Sequence, residues 1–369
     1  MHSRHAAIRS GVLIKFVSMR KICAVTLPIL LCALFMAQEA KDNESLRHYA
    51  DKMGFWVGSV IQGKFFRQDP SYQPVLGREF NVGISIVLMR HTQPERGQFD
   101  FGGMERDREF AHAHHMKLFG QALVYRNDQS PEWLRFQMGH CGGWSAKDLD
   151  AILKEQIETV VRHGGDDFYG WEVVNEPLDR GNNGCWSRVL GEEEVIAKAF
   201  RYAREATPQG VLLLNETFGR DGIDRGKVDE FFRLVTKLKG QGVPVDAAGI
   251  EMHLEAQNLH PNYLDEFKYF LSAARKAGVE AHVTEMDVYQ GRAGAFPDPF
   301  EHQKEIFYNV AHTCLQDSNC KEFSVWGVAD RTAWHPGGGL ADTAPLLFDE
   351  NYAKKPAYFG VLQALKEGR

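Results

Sequence analysis

The strongest constraint on the fold is a rhythm. Eight β-prone runs alternate with amphipathic helical stretches through most of the 369 residues. The runs are Phe55–Ile61, Val82–Leu88, Leu118–Tyr125, Phe168–Val174, Val211–Asn215, Ala247–Met252, Glu280–Thr284 and Glu322–Val328. Helical periodicity between them predicts helices over Met104–Met116, Ala146–His163, Glu192–Ala206, Lys227–Lys239, Asn262–Ala277 and Phe300–Leu315. Near-continuous apolar runs suit parallel strands buried on both faces, because crossover helices cover the sheet. Such alternation leaves two architectures, a closed parallel barrel and an open doubly wound sheet. No glycine-rich phosphate loop follows the first run, which counts against a nucleotide-binding doubly wound fold.

Two of these runs end in a carboxylate. Phe168–Val174 delivers Asn175-Glu176, and Pro177 stops the strand there. A carboxylate just past the C-terminal end of a parallel strand faces the loops where α/β folds place their chemistry. Alone, it reads more readily as a strand-terminal Glu bonded to a backbone amide. The weighing changes with a second instance, Ala281-His282-Val283-Thr284, which delivers Glu285. Hydrolysis of a glycosidic bond needs such a pair. One member, protonated, serves the leaving oxygen; the other, ionised, attacks the anomeric carbon or activates a water. Two strands of one barrel can bring such groups within about 5–6 Å, the spacing of a retaining enzyme.

The first forty residues read differently from the rest. Met19-Arg20-Lys21 is basic, Ile22–Met36 is mostly apolar, and charged residues follow from Gln38 to Arg47. That is the pattern of a signal peptide, too short for a retained span. Residues 1–40 are therefore expected to be removed near Ala37, and residues 41–369 to form one exported catalytic domain, extracellular or periplasmic. Leu31 before Cys32 argues against lipidation. About 330 residues remain, the size of one barrel domain with generous loops. No repeat, low-complexity run or linker suggests a second module, so a monomer is expected. The net charge of -6 and the absence of a Lys/Arg stripe exclude nucleic acid as a partner class.

Other clusters carry less. His112, His114 and His115 fall on more than one helix face and read as solvated surface, so neither a metal nor a cofactor is expected. Cys141 and Cys185 lie in neighbouring loops and stand as a disulfide or as two free thiols. Asn43 and Asn215 open glycosylation sequons, the second at a predicted strand end.

The two carboxylate motifs, Trp171-Glu-Val-Val-Asn-Glu176-Pro177 and Val283-Thr-Glu285-Met-Asp287, resemble the active-site signatures of glycoside hydrolase family 10, the retaining endo-β-1,4-xylanases. The similarity continues, in family order, through Arg96–Phe101, Leu123–Tyr125 with Pro131–Trp133, Gly249–His253, Val325–Asp330 with Trp334, and Pro345–Tyr358. It covers the chain from about residue 50 onward. The resemblance implies a single-domain (β/α)8 TIM barrel acting on a β-linked polysaccharide or oligosaccharide. By the same resemblance Glu176 is general acid and then base, and Glu285 is the nucleophile. Asn175 would bond the sugar's 2-hydroxyl, His253 would steady the nucleophile, and Trp326 and Trp334 would floor and wall the sugar site. The family also bridges the short loop held here between Cys314 and Cys320, which fits export.

Departures from the pattern are informative. After the second strand the family's polar sugar contacts and lysine become Ile86-Val87-Leu88-Met89-Arg90. Gln121, Tyr125 and Arg126 occupy a segment where the family carries two histidines and a tryptophan. Asn215-Glu216-Thr217-Phe218 replaces a polar and aromatic stretch, and Glu251 stands where the family has Gln beside the nucleophile. A third carboxylate there would either crowd Glu285 with like charge or carry a proton itself. These changes leave two further readings, the same mechanism with another specificity and a non-catalytic carbohydrate-binding barrel. Replacing hydrogen-bond donors in a sugar site alters which sugar is accepted.

Overall fold

The structure, a computed structural model, describes residues 44–138, 143–179, 184–291, 296–334 and 344–368. Its compact unit begins at Ser45. Among the described residues nine parallel strands appear in chain order: β1 Trp56–Val60, β2 Val82–Ile86, β3 Lys117–Gln121, β4 Phe168–Asn175, β5 Val211–Thr217, β6 Ala247–Glu251, β7 His253–Glu255, β8 Glu280–Tyr289 and β9 Cys320–Val325. Eight of them form a ring, because β1 pairs with β2 and β9 while β6 pairs with β8. Trp56 stands opposite Glu322 at the closure. The doubly wound alternative is thereby excluded. Short β7 lies along the C-terminal part of β8, with His253 opposite Asp287.

The strands differ from expectation mainly at their C-terminal ends. β8 runs past Thr284 to Tyr289, because β7 supplies partners that its later residues would otherwise lack. The third run divides at Gln121. Leu123 and Val124 turn to β4, donating to the carbonyls of Glu172 and Val173 at 2.9 and 3.0 Å.

Helices start where side chains cap them. Ser145 accepts from Asp148 N, Asp224 from Gly226 N and Lys227 N, and Asp298 from Phe300 N and Glu301 N. Each such cap contributes about 1 kcal/mol. Helices at Leu46–Met53, Gly63–Gln68 and Tyr72–Glu79 lie outside the sequence expectation, since two turns are too few for periodicity to register.

Trp171 anchors β4 to its neighbours. Its indole stacks on Phe168 with ring centroids 4.6 Å apart. The slot exists because Gly164 has no side chain: a Cβ there would meet the indole at 2.5 Å. At the N-terminal end of the ring, Glu322 gathers three strands. Its carboxylate accepts from Tyr169 of β4 and Ser324 Oγ and lies 3.1 Å from His282 Nδ1 of β8. Burial alone would lower the His282 pKa, but bonds to Glu280 and Glu322 outweigh it and lift the imidazole to about 9.

A disulfide joins Cys314 to Cys320, with Cα atoms 5.3 Å apart, tying helix Pro299–Gln316 to the start of β9. The Cys141–Cys185 pairing, the leader and Asn43 fall outside the described residues. Among the described residues no helix is long and apolar enough to cross a membrane.

Candidate active site

The C-terminal ends of the strands open into a cleft of about 340 Å³. Glu176, Glu285, Asn175, His253, Glu251, Arg90, Gln121, Tyr125, Arg126, Trp326 and Trp334 all line it, together with Ile86 and Leu88. Every carboxylate, sugar-contact and aromatic candidate read from the sequence therefore converges on one place.

Glu285 projects from β8 with both oxygens occupied. Oε2 lies 3.1 Å from His253 Nε2, and Oε1 accepts from Gln121 Nε2. His253 is held from behind, its Nδ1 2.9 Å from Asp287 Oδ2. Burial disfavours a charged imidazole, yet Asp287 and Glu285 raise the His253 pKa well above its ordinary value. That direction favours an imidazolium between the two carboxylates. Asp287 closes the second motif, but its partnering of His253 could not be read there. It sits two residues after Glu285, on the same face of an extended strand that the sequence ends too early.

Glu176 occupies the turn after β4 with φ +48, the left-handed region that a non-glycine residue enters at a cost of about 1–2 kcal/mol. The turn is fixed on both sides. Glu176 N donates to Asn215 O at 3.0 Å, and Leu178 N donates to Glu216 Oε2 at 2.9 Å. Glu216 also accepts from Thr217 N and from Lys227 Nζ at 2.9 Å, and it is fully buried. It is a supporting residue that sequence reading missed, although Asn215-Glu216 repeats the strand-end Asn-Glu signal of Asn175-Glu176. Burial is the main cause that lifts the Glu176 pKa to about 7; Glu216 and Glu285 add to it, while a bond from Tyr125 and the charge of Arg126 oppose it.

Between the two carboxylates runs an amide network. Asn215 Nδ2 donates to Asn175 Oδ1 and to Glu251 Oε1, both at 3.1 Å, and Asn215 Oδ1 accepts from Thr284 Oγ1 at 2.9 Å. A fully buried Asn215 with its amide engaged leaves no room for a glycan at that sequon. Beneath the network lies Glu172, fully buried, whose pKa burial and the neighbouring carboxylates push well above the ordinary range.

Over the cleft, Trp334 is 46% exposed and its ring centroid lies 5.5 Å from that of His253. Tyr289 fixes its carbonyl by a hydrogen bond. Trp326 is half-buried at the end of β9. Arg90 is exposed and turned to His91, at 3.1 Å, beside the apolar Ile86 and Leu88.

Glu251, His253 and Glu285 bring three potential ligand atoms within 4.8 Å of one another. Those atoms already belong to the hydrogen-bonded network, and a cation there would occupy the lone pairs of Glu285. The histidines of helix Gly102–Ala113 and its end do not converge: His112 pairs with Asp167 at 2.6 Å, while His114 packs on Phe110.

A parallel barrel that gathers two dissimilar carboxylates, amide donors, one exposed indole and one half-buried indole at its C-terminal mouth defines an O-glycosyl hydrolase. Comparison with known proteins places it further: the chain belongs to glycosyl hydrolase family 10, whose model matches residues 45–364. It is 31% identical over 350 residues to endo-1,4-beta-xylanase B of Thermotoga neapolitana, covering 92% of this chain and 98% of that protein. It is 34% identical over 352 residues to a beta-1,4-xylanase of Dictyoglomus thermophilum, covering 89% and 94%. Xylanase 10B of Thermotoga maritima superposes with a TM-score of 0.79 at 31% identity, covering 88% of this chain and 98% of that one.

Proposed function

We propose that this chain is an endo-β-1,4-xylanase that cleaves xylan or a related plant cell-wall glycan with retention of anomeric configuration. The observation that carries the reading is the contrast between its two strand-end carboxyls. Glu285 accepts hydrogen bonds at both oxygens, as an attacking anion requires, whereas Glu176 is buried and lifted to about 7. Glu285 attacks C1 of the sugar while Glu176 gives its proton to the departing oxygen. Glu176, now a base, takes a proton from water, which attacks C1 and releases Glu285. With its Oδ1 held by Asn215, Asn175 turns its NH2 donors toward the 2-hydroxyl, a bond that strengthens in the transition state. Trp326 and Trp334 supply apolar faces for the pyranose rings. The named activities of the relatives support the choice of polymer.

NMR of the first products of xylo-oligosaccharide cleavage tests the mechanism, and initial release of the β-anomer is expected. Glu285→Ala should lower kcat by about 10⁴-fold or more, since it removes the nucleophile outright. Initial α-anomer, or an Ala variant as fast as the parent, would overturn the assignment.

A second reading keeps the chemistry and changes the sugar. Ile86 and Leu88 present an apolar wall beside Arg90, which favours a substituted, shorter or exo-cleaved glycan. Rates on polymeric xylan, aryl β-xyloside and aryl β-glucoside separate the two. Export after cleavage near Ala37, as a monomer, completes the proposal. The basic–apolar start supports it, as does the Cys314–Cys320 disulfide. N-terminal sequencing of the exported chain tests it.

A further inference from the structure

Glu251 closes β6 at the inner edge of the cleft and is 4% exposed. Its surroundings decide its charge. From β8, Glu285 places a carboxylate oxygen within 4.8 Å, and Asp287 stands behind His253. β4 contributes Glu172 and the turn after it Glu176, β5 contributes Glu216, and the segment after β3 contributes the Tyr125 phenol. The facing cation is His253, and it is already divided: Nδ1 lies 2.9 Å from Asp287 and Nε2 3.1 Å from Glu285. Glu251 Oε2 is 3.8 Å from that same Nε2, beyond hydrogen-bond reach. Lys227 is committed to Glu216, and Arg126 lies toward Glu176.

One imidazolium cannot balance three buried carboxylates. A buried charge without a counterion is strongly disfavoured, and taking up a proton relieves it. The catalytic reading needs Glu285 as an anion, and Asp287 holds the imidazole. The proton therefore belongs on Glu251. Hydrogen bonding fixes where it sits. Oε1 accepts from Asn215 Nδ2 at 3.1 Å, so the hydroxyl is on Oε2, toward His253 and the cleft.

We infer that Glu251 works as an uncharged carboxylic acid, whose Oε2–H donates to the bound sugar beside the nucleophile and whose ionisation shuts the site. Burial and the charge of Glu285 act in that direction, raising the Glu251 pKa well above the carboxylate range. Once ionised, the group becomes an acceptor where the sugar needs a donor. It also sets a second negative charge against Glu285 and competes for His253.

This inference rests on the glycosidase reading, and the experiment separates the two. The substrate is an aryl β-xylobioside with a leaving group good enough to depart unprotonated, so that Glu176 drops out of the alkaline limb of kcat/KM. No hydrolysis at any pH by the parent enzyme would defeat the glycosidase reading itself. With hydrolysis, the parent should lose rate on the alkaline side, and Glu251→Gln, which cannot ionise, should lose that limb or shift it upward by at least one pH unit. Glu251→Leu should also lack the limb but show a plateau about tenfold or more below Gln, because it lacks a donor. Infrared difference spectra of parent minus Gln at neutral pH should show a protonated carboxyl stretch. Near-UV circular dichroism identifies variants that fold. Coincident alkaline limbs, a Leu plateau equal to that of Gln, or a carboxylate band in the difference spectrum would overturn the inference.

Discussion

Single side chains set the pH behaviour. In the proposed role of general acid Glu176 must hold a proton, and its pKa is lifted to about 7. On a substrate with a poor leaving group, kcat/KM should fall about tenfold per unit as pH rises above that value. The bond from Tyr125 opposes the lift, so Tyr125→Phe should move the limb to higher pH. A pH–rate series on xylo-oligosaccharides checks both, and a limb that moves downward would contradict the geometry. At this scale much was legible. Glu176, Glu285 and His253 could be found because each ends or follows a strand at a recognisable motif. What stayed hidden was the partnering. That Gln121 bonds Glu285, or that Asn215 joins Asn175 to Glu251, depends on residues brought together from separate strands. No local pattern encodes such pairs.

Elements were legible by kind and less so by extent. Strands showed as apolar β-branched runs, yet their ends depend on neighbours: β8 extends to Tyr289 through β7, a strand too short to register by itself. The same dependence shows at the entry to β9, where the Cys314–Cys320 disulfide holds helix and strand together across a six-residue separation. A loop that short restrains the unfolded chain modestly. Replacing both cysteines by serine should lower stability by about 2 kcal/mol, read as an earlier denaturation midpoint under oxidising conditions. The difference should vanish when parent and variant are compared in reductant.

For the molecule as a whole, the N-terminal plug of the barrel couples stability to pH. His282 binds its proton more tightly folded, near 9, than unfolded, near the ordinary histidine value of 6.5. Its contribution is therefore complete below the unfolded value and is lost as pH rises through the folded one. Thermal midpoints should decline across that window, and His282→Gln, less stable at neutral pH, should decline less steeply. Composition and length pointed to one domain of this size, but the ring itself could not be read from periodicity, since an open sheet uses the same alternation. The closure decides it, and the closure has a consequence for biogenesis. Because Trp56 of β1 pairs across the closure with Glu322 of β9, the growing polypeptide keeps two raw sheet edges until β9 has been made. A ribosome that stops before β9 releases a sticky fragment instead of a smaller enzyme.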